Sequence, residues 1–461
     1  MKPGTQLAVA AVVAVVTVSG AAVVLTKDRT TTIKRITDAS AAAPGLAWSV
    51  DVSASGLDGA VFADPRTGSM FSWGANSIRI DELLLTLAVV PDDLTTSNAV
   101  MLAIDADTGG VRWRAPAVDL AACAEEPLDG QLVCQVPSFG ERPGLTTFDL
   151  ETGTSRHFDT DPYLFATTVA NGSLYLAEGS LEDADVRLHR GTLEDYDADW
   201  SVPLDVRGSW EEQYADQLKV GPETGHLDLT GSFTTFDAQT GTGLWSTDVL
   251  DDCVIAQYRT AGDLAVATNF DCDGSSSDVT GTTAYSGDGE VLATYEGPAE
   301  HYLAVDEPAD ASVPVVLGDT AFDRATGEEL WSSELLVFDR PADEWNEART
   351  VGTLTAVVDH IGIASCEQQT VGIDLHSGEQ LWTSEDRIGS ILARDGDAVL
   401  ISKNGELSAV DVRTGTQLWS AEFSNMLAEE STSMDTYVDG GDGTYFLQTG
   451  SALARLDPLP G

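Results

Sequence analysis

The sequence predicts an all-β fold, a closed ring of four-stranded sheets, and three observations carry that prediction. One short phrase returns six times along the 461 residues, its spacing suits one sheet per copy, and the two chain ends supply complementary parts of one further sheet.

The phrase reads MLAIDADTGGVRW, LTTFDLETGTSRH, FTTFDAQTGTGLW, TAFDRATGEELW, VGIDLHSGEQLW and LSAVDVRTGTQLW. Its Asp residues are Asp105, Asp149, Asp237, Asp323, Asp374 and Asp411, and a Gly follows four positions later at Gly109, Gly153, Gly241, Gly327, Gly378 and Gly415. A Thr or Ser precedes each Gly. In five copies a Trp stands eight positions after the Asp, at Trp113, Trp245, Trp331, Trp382 and Trp419, and His157 holds that place in the second copy. Alternating apolar and small residues before the Asp suit a strand. Asp-x-x-Thr-Gly suits a tight reversal, with carboxylate and hydroxyl accepting backbone N–H groups and Gly at positive φ. The Asp residues are therefore expected as turn caps, not catalytic acids. A four-stranded sheet has two apolar faces and cannot bury both alone, so packing successive sheets around an axis is the expected solution, a single β-propeller. Each Trp, at the start of the outermost strand, is then a plug between neighbouring sheets with one N–H to place.

Successive Asp residues lie 44, 88, 86, 51 and 37 positions apart, so each of the two long gaps leaves room for a degenerate copy. The candidates are VRLHRGTLEDYDADW, ending at Trp200, and TTAYSGDGEVLATY, whose Gly289 follows a similar turn. At the ends, GLAWSV (45–50) resembles an outermost strand without its turn, whereas TYFLQTGSALARLD lacks a Trp-bearing return strand. Trp48 is expected to complete the sheet begun near Tyr437, which removes an exposed edge. Residues 51–100 have no clear strand period and are assigned to the first sheet.

Residues 7–25, LAVAAVVAVVTVSGAAVVL, carry no charge and lie between Lys2 and Lys27, long enough for one helix to cross a bilayer. The expected organisation is a membrane anchor over 1–29, a tether over 30–44 and the propeller over 45–461. A cleaved secretory signal is the competing reading, with Ser19, Gly20, Ala21 and Ala22 as small residues for a peptidase. Both readings place the polar remainder outside the cytoplasm. There, Cys123 with Cys134 and Cys253 with Cys272 are expected as local disulfides, leaving Cys366 over.

The 75 Asp and Glu against 24 Lys and Arg give a formal charge of −51. Binding to nucleic-acid phosphates is excluded as a default, as is docking on anionic lipid through a basic patch. Acidic excursions near 178–217 and 339–350 are expected on one rim, with Trp210 and Trp345 as partner-binding candidates against ordinary packing of a loop on its sheet. Asp271, Asp273, Ser275 and Asp278 form a calcium candidate, set against a solvated turn. The six His residues show no metal-ligand spacing, and no nucleophile elbow or phosphate loop is present.

The LxAxDxxTGxxLW phrase resembles the pyrroloquinoline-quinone-type propeller repeat over most of residues 95–425. Together with the export segment it is similar to proteins related to the outer-membrane protein assembly factor BamB. Counting both degenerate copies and the terminal sheet can give nine blades, but the resemblance implies eight, with seven a further alternative, and a non-enzymatic partner of larger membrane machinery. It does not imply quinone binding, since the ring is used without that cofactor. The vicinal disulfide common in quinone dehydrogenases would need adjacent cysteines, which are absent. The expectation is thus a membrane-tethered extracytoplasmic scaffold, monomeric, without cofactor or catalysis, binding a protein at the membrane surface. A propeller enzyme, quinone-dependent or other, and a cell-surface sensor or carbohydrate-binding module are the alternatives.

Overall fold

The computed structural model describes residues 43–458 apart from 70–74, 92–95, 138–139, 141, 161–163, 180–184, 205–216, 230–231, 248–253, 262–263, 272–278, 297–311, 340–348, 352, 367–368, 386, 424–436 and 442. Its strands form an all-β propeller of nine blades taken in chain order. Blades 1 to 8 span 61–116, 122–159, 164–204, 218–246, 254–296, 315–332, 353–384 and 390–422. Blade 9 combines Tyr437–Gly441, Thr444–Gln448 and Ala452–Pro458 with Pro44–Asp51 as its outermost strand. Trp48 pairs with Arg455 across that closing ladder. Blade 6 shows three strands among the described residues, and between blades 6 and 7 Val337–Asp339 pairs with Arg349–Val351.

The expectation of eight blades is corrected to nine, because both degenerate copies build sheets of their own. In blade 3, Val186–Gly191 and Trp200–Leu204 pair although eight residues, 192–199, replace the Asp turn. In blade 5, Ser286 stands where the other copies have Asp, and Gly289 N–H donates to its carbonyl at 2.9 Å. The turn chemistry is substituted while the strands are kept.

Blade 1 explains why residues 51–100 resist periodic reading. Its second strand, Leu83–Pro91, is buried at every position from Leu83 to Val89. A strand between two neighbouring sheets is covered on both faces, and so reads as an apolar run without alternation. Its inner neighbour is split into Val61–Ala63 and Ile78–Ile80. No helix among the described residues is long and apolar enough to cross a membrane. The anchor and most of the tether expected over 1–44 lie outside those residues.

Strand alternation divides each sheet's side chains between two seams. Leu218, Leu227 and Leu229 of blade 4 pack with Tyr175, Leu188 and Leu204 of blade 3. Phe233 of blade 4 faces the other way, onto Ala265 and Ala267 of blade 5. The core is therefore a series of inter-blade layers.

Candidate functional site

The recurring residues converge on these seams. In each of the six copies the Asp carboxylate caps its own turn. Asp105 Oδ1 accepts from Thr108 N–H and Thr108 hydroxyl, each at 2.8 Å. Asp149, Asp237, Asp323 and Asp411 hold Thr152, Thr240, Thr326 and Thr414 in the same way, and Asp374 holds the N–H groups of His376 and Ser377. The Gly four positions on donates to the Asp carbonyl at 2.7–2.9 Å, with φ between 67° and 73°. That region costs a residue with a Cβ.

The geometry adds a second reason for Gly. A Cβ on Gly153 would lie 2.6 Å from Trp113 of the preceding blade, one on Gly378 2.7 Å from Trp331, and one on Gly415 2.6 Å from Trp382. Trp48 stands equally close over Gly109, Trp200 over Gly241 and Trp245 over Gly289. Each indole thus lies flat on the turn of the next blade. The indole N–H donates to the carbonyl of the residue just after the capping Asp: Trp48 to Ala106 (3.2 Å), Trp113 to Leu150 (2.8 Å), Trp331 to Leu375 (2.8 Å) and Trp382 to Val412 (2.7 Å). The N–H of that same residue donates inward to its own blade's first hairpin, as from Leu375 to His360 and from Val412 to Asp397.

A bulge aims the Trp. Ala409 pairs with Trp419 but Val410 with Gln417, so Leu418 has no opposite residue. The same step occurs before Trp245, Trp331, Trp382 and Trp113. The extra residue turns outward to solvent, as Leu244, Leu330 and Leu381 do, while the Trp turns into the seam.

Three seams depart from this plan; from blade 5 to blade 6 the Gly327 turn lies against the Leu292 backbone, and no indole stands over it. His157 packs within its own blade, 3.4 Å from Asp159, and the seam from blade 2 to blade 3 is filled instead by Phe158, Leu193 and Tyr196. From blade 8 to blade 9 there is no turn to receive Trp419, because the chain ends meet there, and its indole N–H has no partner among the described residues. Tyr445 of blade 9 donates instead to Asp395 of blade 8 at 2.5 Å, and Gly443 N–H reaches the same oxygen at 3.2 Å.

Electrostatics follow the turns. Arg112 and then Thr108 hold the Asp105 carboxyl down to about 2. Thr152 and Thr240 hold Asp149 and Asp237 below the usual carboxylate range, and the Thr326 N–H does so for Asp323. Blade 4 carries the opposite case. Burial pushes Asp228 up to about 7 against the pull of Lys219, and pushes His226, two residues earlier on the same face, down to about 4.

Cys123 and Cys134 form a disulfide across paired strands of blade 2. Cys253 and Cys272 lie outside the described residues, as do Asp273, Ser275, Asp278, Trp210 and Trp345. The strands ending in Asp271 and Cys366 are described, but not those side chains. Among the described residues no three His, Cys, Asp or Glu side chains converge as a metal ion requires.

Sequence reasoning did not find the carbonyl acceptors, the two tyrosines at the seams, Tyr175 and Tyr445, or the buried His189 between Glu178 and Asp197. The carbonyl acceptors and the tyrosines depend on packing between blades and His189 on strand pairing within blade 3, and the only signal in the chain was the missing Asp turn near Trp200.

Comparison with known proteins agrees with the repeat. No curated protein matches the chain. Among solved structures, BamB from Moraxella catarrhalis is 11% identical, covering 90% of this chain and 98% of that one at a TM-score of 0.45. A quinohemoprotein alcohol dehydrogenase from Comamonas testosteroni is 13% identical over 92% of this chain and 78% of its own, also at 0.45. A computationally designed protein, Ika8, reaches 0.46 at 10% identity, covering 84% and 98%. At these scores the likenesses carry no functional argument. The family model described as outer membrane protein assembly factor BamB matches residues 318–461, the stretch that carries the Asp323, Asp374 and Asp411 copies of the repeated phrase.

Proposed function

We propose that this chain is a non-catalytic binding or assembly scaffold, held at the extracytoplasmic side of a membrane by its N-terminal apolar segment. The observation that supports this reading most is the inequality of the two rims. On the Asp-turn rim the connection after the capping Asp is five residues in blades 1, 2, 4, 7 and 8: 106–110, 150–154, 238–242, 375–379 and 412–416. On the opposite rim the connections between second and third strands run from the two residues 404–405 to the seven residues of 137–143, 179–185 and 272–278. The Asp-turn rim also carries longer connections, 124–130 in blade 2 and 192–199 in blade 3, but its repeated turns keep one length. A rigid ring that sets variable loops beside a constant motif suits presentation of a binding surface. The repeated carboxylates, hydroxyls and indoles are already committed to turns and seams, which leaves the recurring motif no chemistry to perform. The acidic surface favours a partner with a basic face.

Photo-crosslinking in intact membranes tests the proposal. Probes at Trp210 and Trp345 should capture a common protein, and probes at Glu151 and Gln239 on the Asp-turn rim should not. Quinone bound at one per chain, with dye-linked alcohol oxidation that depends on it, would reject the scaffold reading.

A further inference from the structure

The seam from blade 2 to blade 3 is closed without the Trp-on-Gly contact, by the loop 192–199 that replaces the Asp turn. Leu193 and Tyr196 of this loop pack with Val133, Leu145 and Phe158 of blade 2. What holds the loop in turn is one buried imidazole. His189, 2% exposed, lies on the third strand of blade 3. Its Nδ1 is hydrogen-bonded to Asp197 of the loop, and its Nε2 stands 3.1 Å from Glu178 at the end of the neighbouring strand, an ion-pair approach outside hydrogen-bond alignment. The Tyr196 ring packs edge-on against it at 5.2 Å.

We propose that His189, clasped between Glu178 and Asp197, is a proton-operated latch that holds the 192–199 loop across this seam. Only the imidazolium offers an N–H to both carboxylates. A neutral ring that keeps its N–H on Nδ1 turns the lone pair of Nε2 toward Glu178, and one that moves it to Nε2 turns a lone pair on Asp197. Either way one carboxylate loses the N–H that faces it.

The surrounding charges do not supply a substitute. Arg187, on the same face of the same strand, is hydrogen-bonded to Ser201 at 3.2 Å. Asp199 pairs with Arg190 at 3.1 Å. From blade 2, Arg156 reaches Glu194 of the loop at 3.2 Å and His157 faces Asp159 at 3.4 Å. Asp195 closes the loop through its own carbonyl, accepting from Thr192 N–H at 2.9 Å.

Burial alone would lower the His189 pKa, but Glu178 and then Asp197 outweigh it and the net shift is upward. A raised folded-state pKa means that the latch is fully closed below the ordinary histidine value of about 6.5 and is lost as pH rises through the folded value above it. The loop should therefore loosen on the alkaline side.

Hydrogen exchange on the full chain, read by mass spectrometry and corrected for intrinsic rates, tests this. Between pH 6 and pH 9 protection of 192–199 should fall about tenfold, the loss expected when a contact of this kind opens, while the turns 106–110 and 412–416 stay constant. His189→Gln should show the low protection at both pH values. Should that variant not fold, Asp197→Asn, on a half-exposed loop residue, should move the midpoint to lower pH. Protection of the loop that does not vary with pH in the unaltered chain, or a midpoint that Asp197→Asn leaves in place, would overturn the proposal.

Discussion

The seam from blade 7 to blade 8 and the seam from blade 3 to blade 4 begin from the same contact and finish it differently. In the first, Trp382 is 7% exposed, lies on Gly415 and donates to the Val412 carbonyl at 2.7 Å. In the second, Trp200 lies on Gly241 in the same manner, but its N–H has no partner among the described residues. The carbonyl it would use, that of Ala238, already accepts from the Tyr175 hydroxyl at 3.1 Å and from Arg190 at 3.5 Å. Tyr175 and Phe236 meet the Trp200 ring edge-on at 6.0 and 6.3 Å. The flat face of the indole on a bare backbone turn is common to both seams. The hydrogen bond is the part that can be reassigned.

If that is correct, adding a side chain to the turn should be the most damaging change. Gly415→Val combines a Cβ 2.6 Å from Trp382 with a β-branched residue at φ 67°. We expect a loss of more than about 3 kcal/mol, strain and overpacking together. Gly241→Val should cost nearly as much, since Trp200 is equally close. Gly396→Ala separates the two effects, because Gly396 has φ 58° but nothing within 4 Å of where the added methyl would stand. Its cost should be about 1 kcal/mol. Denaturant melts of the three variants check the order, and equal losses at Gly396 and Gly415 would remove the packing part of the argument.

The indole N–H comes next. Trp382→Phe deletes a satisfied buried donor and should cost about 1–3 kcal/mol beyond the lost ring area, since the Val412 carbonyl is left short. Trp200→Phe deletes a donor with no partner among the described residues, so only the smaller ring is felt. A larger loss at Trp200 than at Trp382 would show that the two seams had been ranked wrongly.

The tyrosines sharpen the same point. Tyr445→Phe removes a hydroxyl from a buried carboxylate, Asp395, and should cost about 1.5–3 kcal/mol, readable as a drop in Tm. Tyr175→Phe should be milder, because Arg190 still reaches the Ala238 carbonyl at 3.5 Å and Trp200 can then compete for it.

Smallest of all is the acid effect. Asp105 is held down to about 2, so its contribution is present above the unfolded value near 4 and is lost as pH falls toward 2. Asp105→Asn should lower stability at pH 6 and match the unaltered chain once the carboxylate is protonated at the acid end. A constant difference across that window would mean that the Arg112 pair contributes through shape instead of charge.

The six Asp turns and the pairing of Trp48 with the last strands were legible because each is written in adjacent residues. The ninth blade was legible too, since both degenerate copies and the terminal sheet were singled out, and only the family resemblance set the expectation at eight. Blade 3 was the weaker copy because it forms its outer hairpin from GTLEDYDAD, which shares no turn spacing with the others. Leu83–Pro91 hid for the opposite reason, with every apolar position used and no period left to read. Contacts across seams, such as Tyr175 with Ala238, join residues 63 apart and leave no local trace. Trp210 and Trp345 were chosen from composition alone.

The closing ladder has a temporal meaning. Pro44–Asp51 is the first strand described, yet its ladder partner is Ala452–Pro458. During synthesis it must wait through eight complete blades as an unpaired edge, and loop-closure entropy and high contact order both slow such an encounter. The circle is thus the last feature to form, and its earliest-made strand is the one that most needs shielding from other chains until the final hairpin arrives.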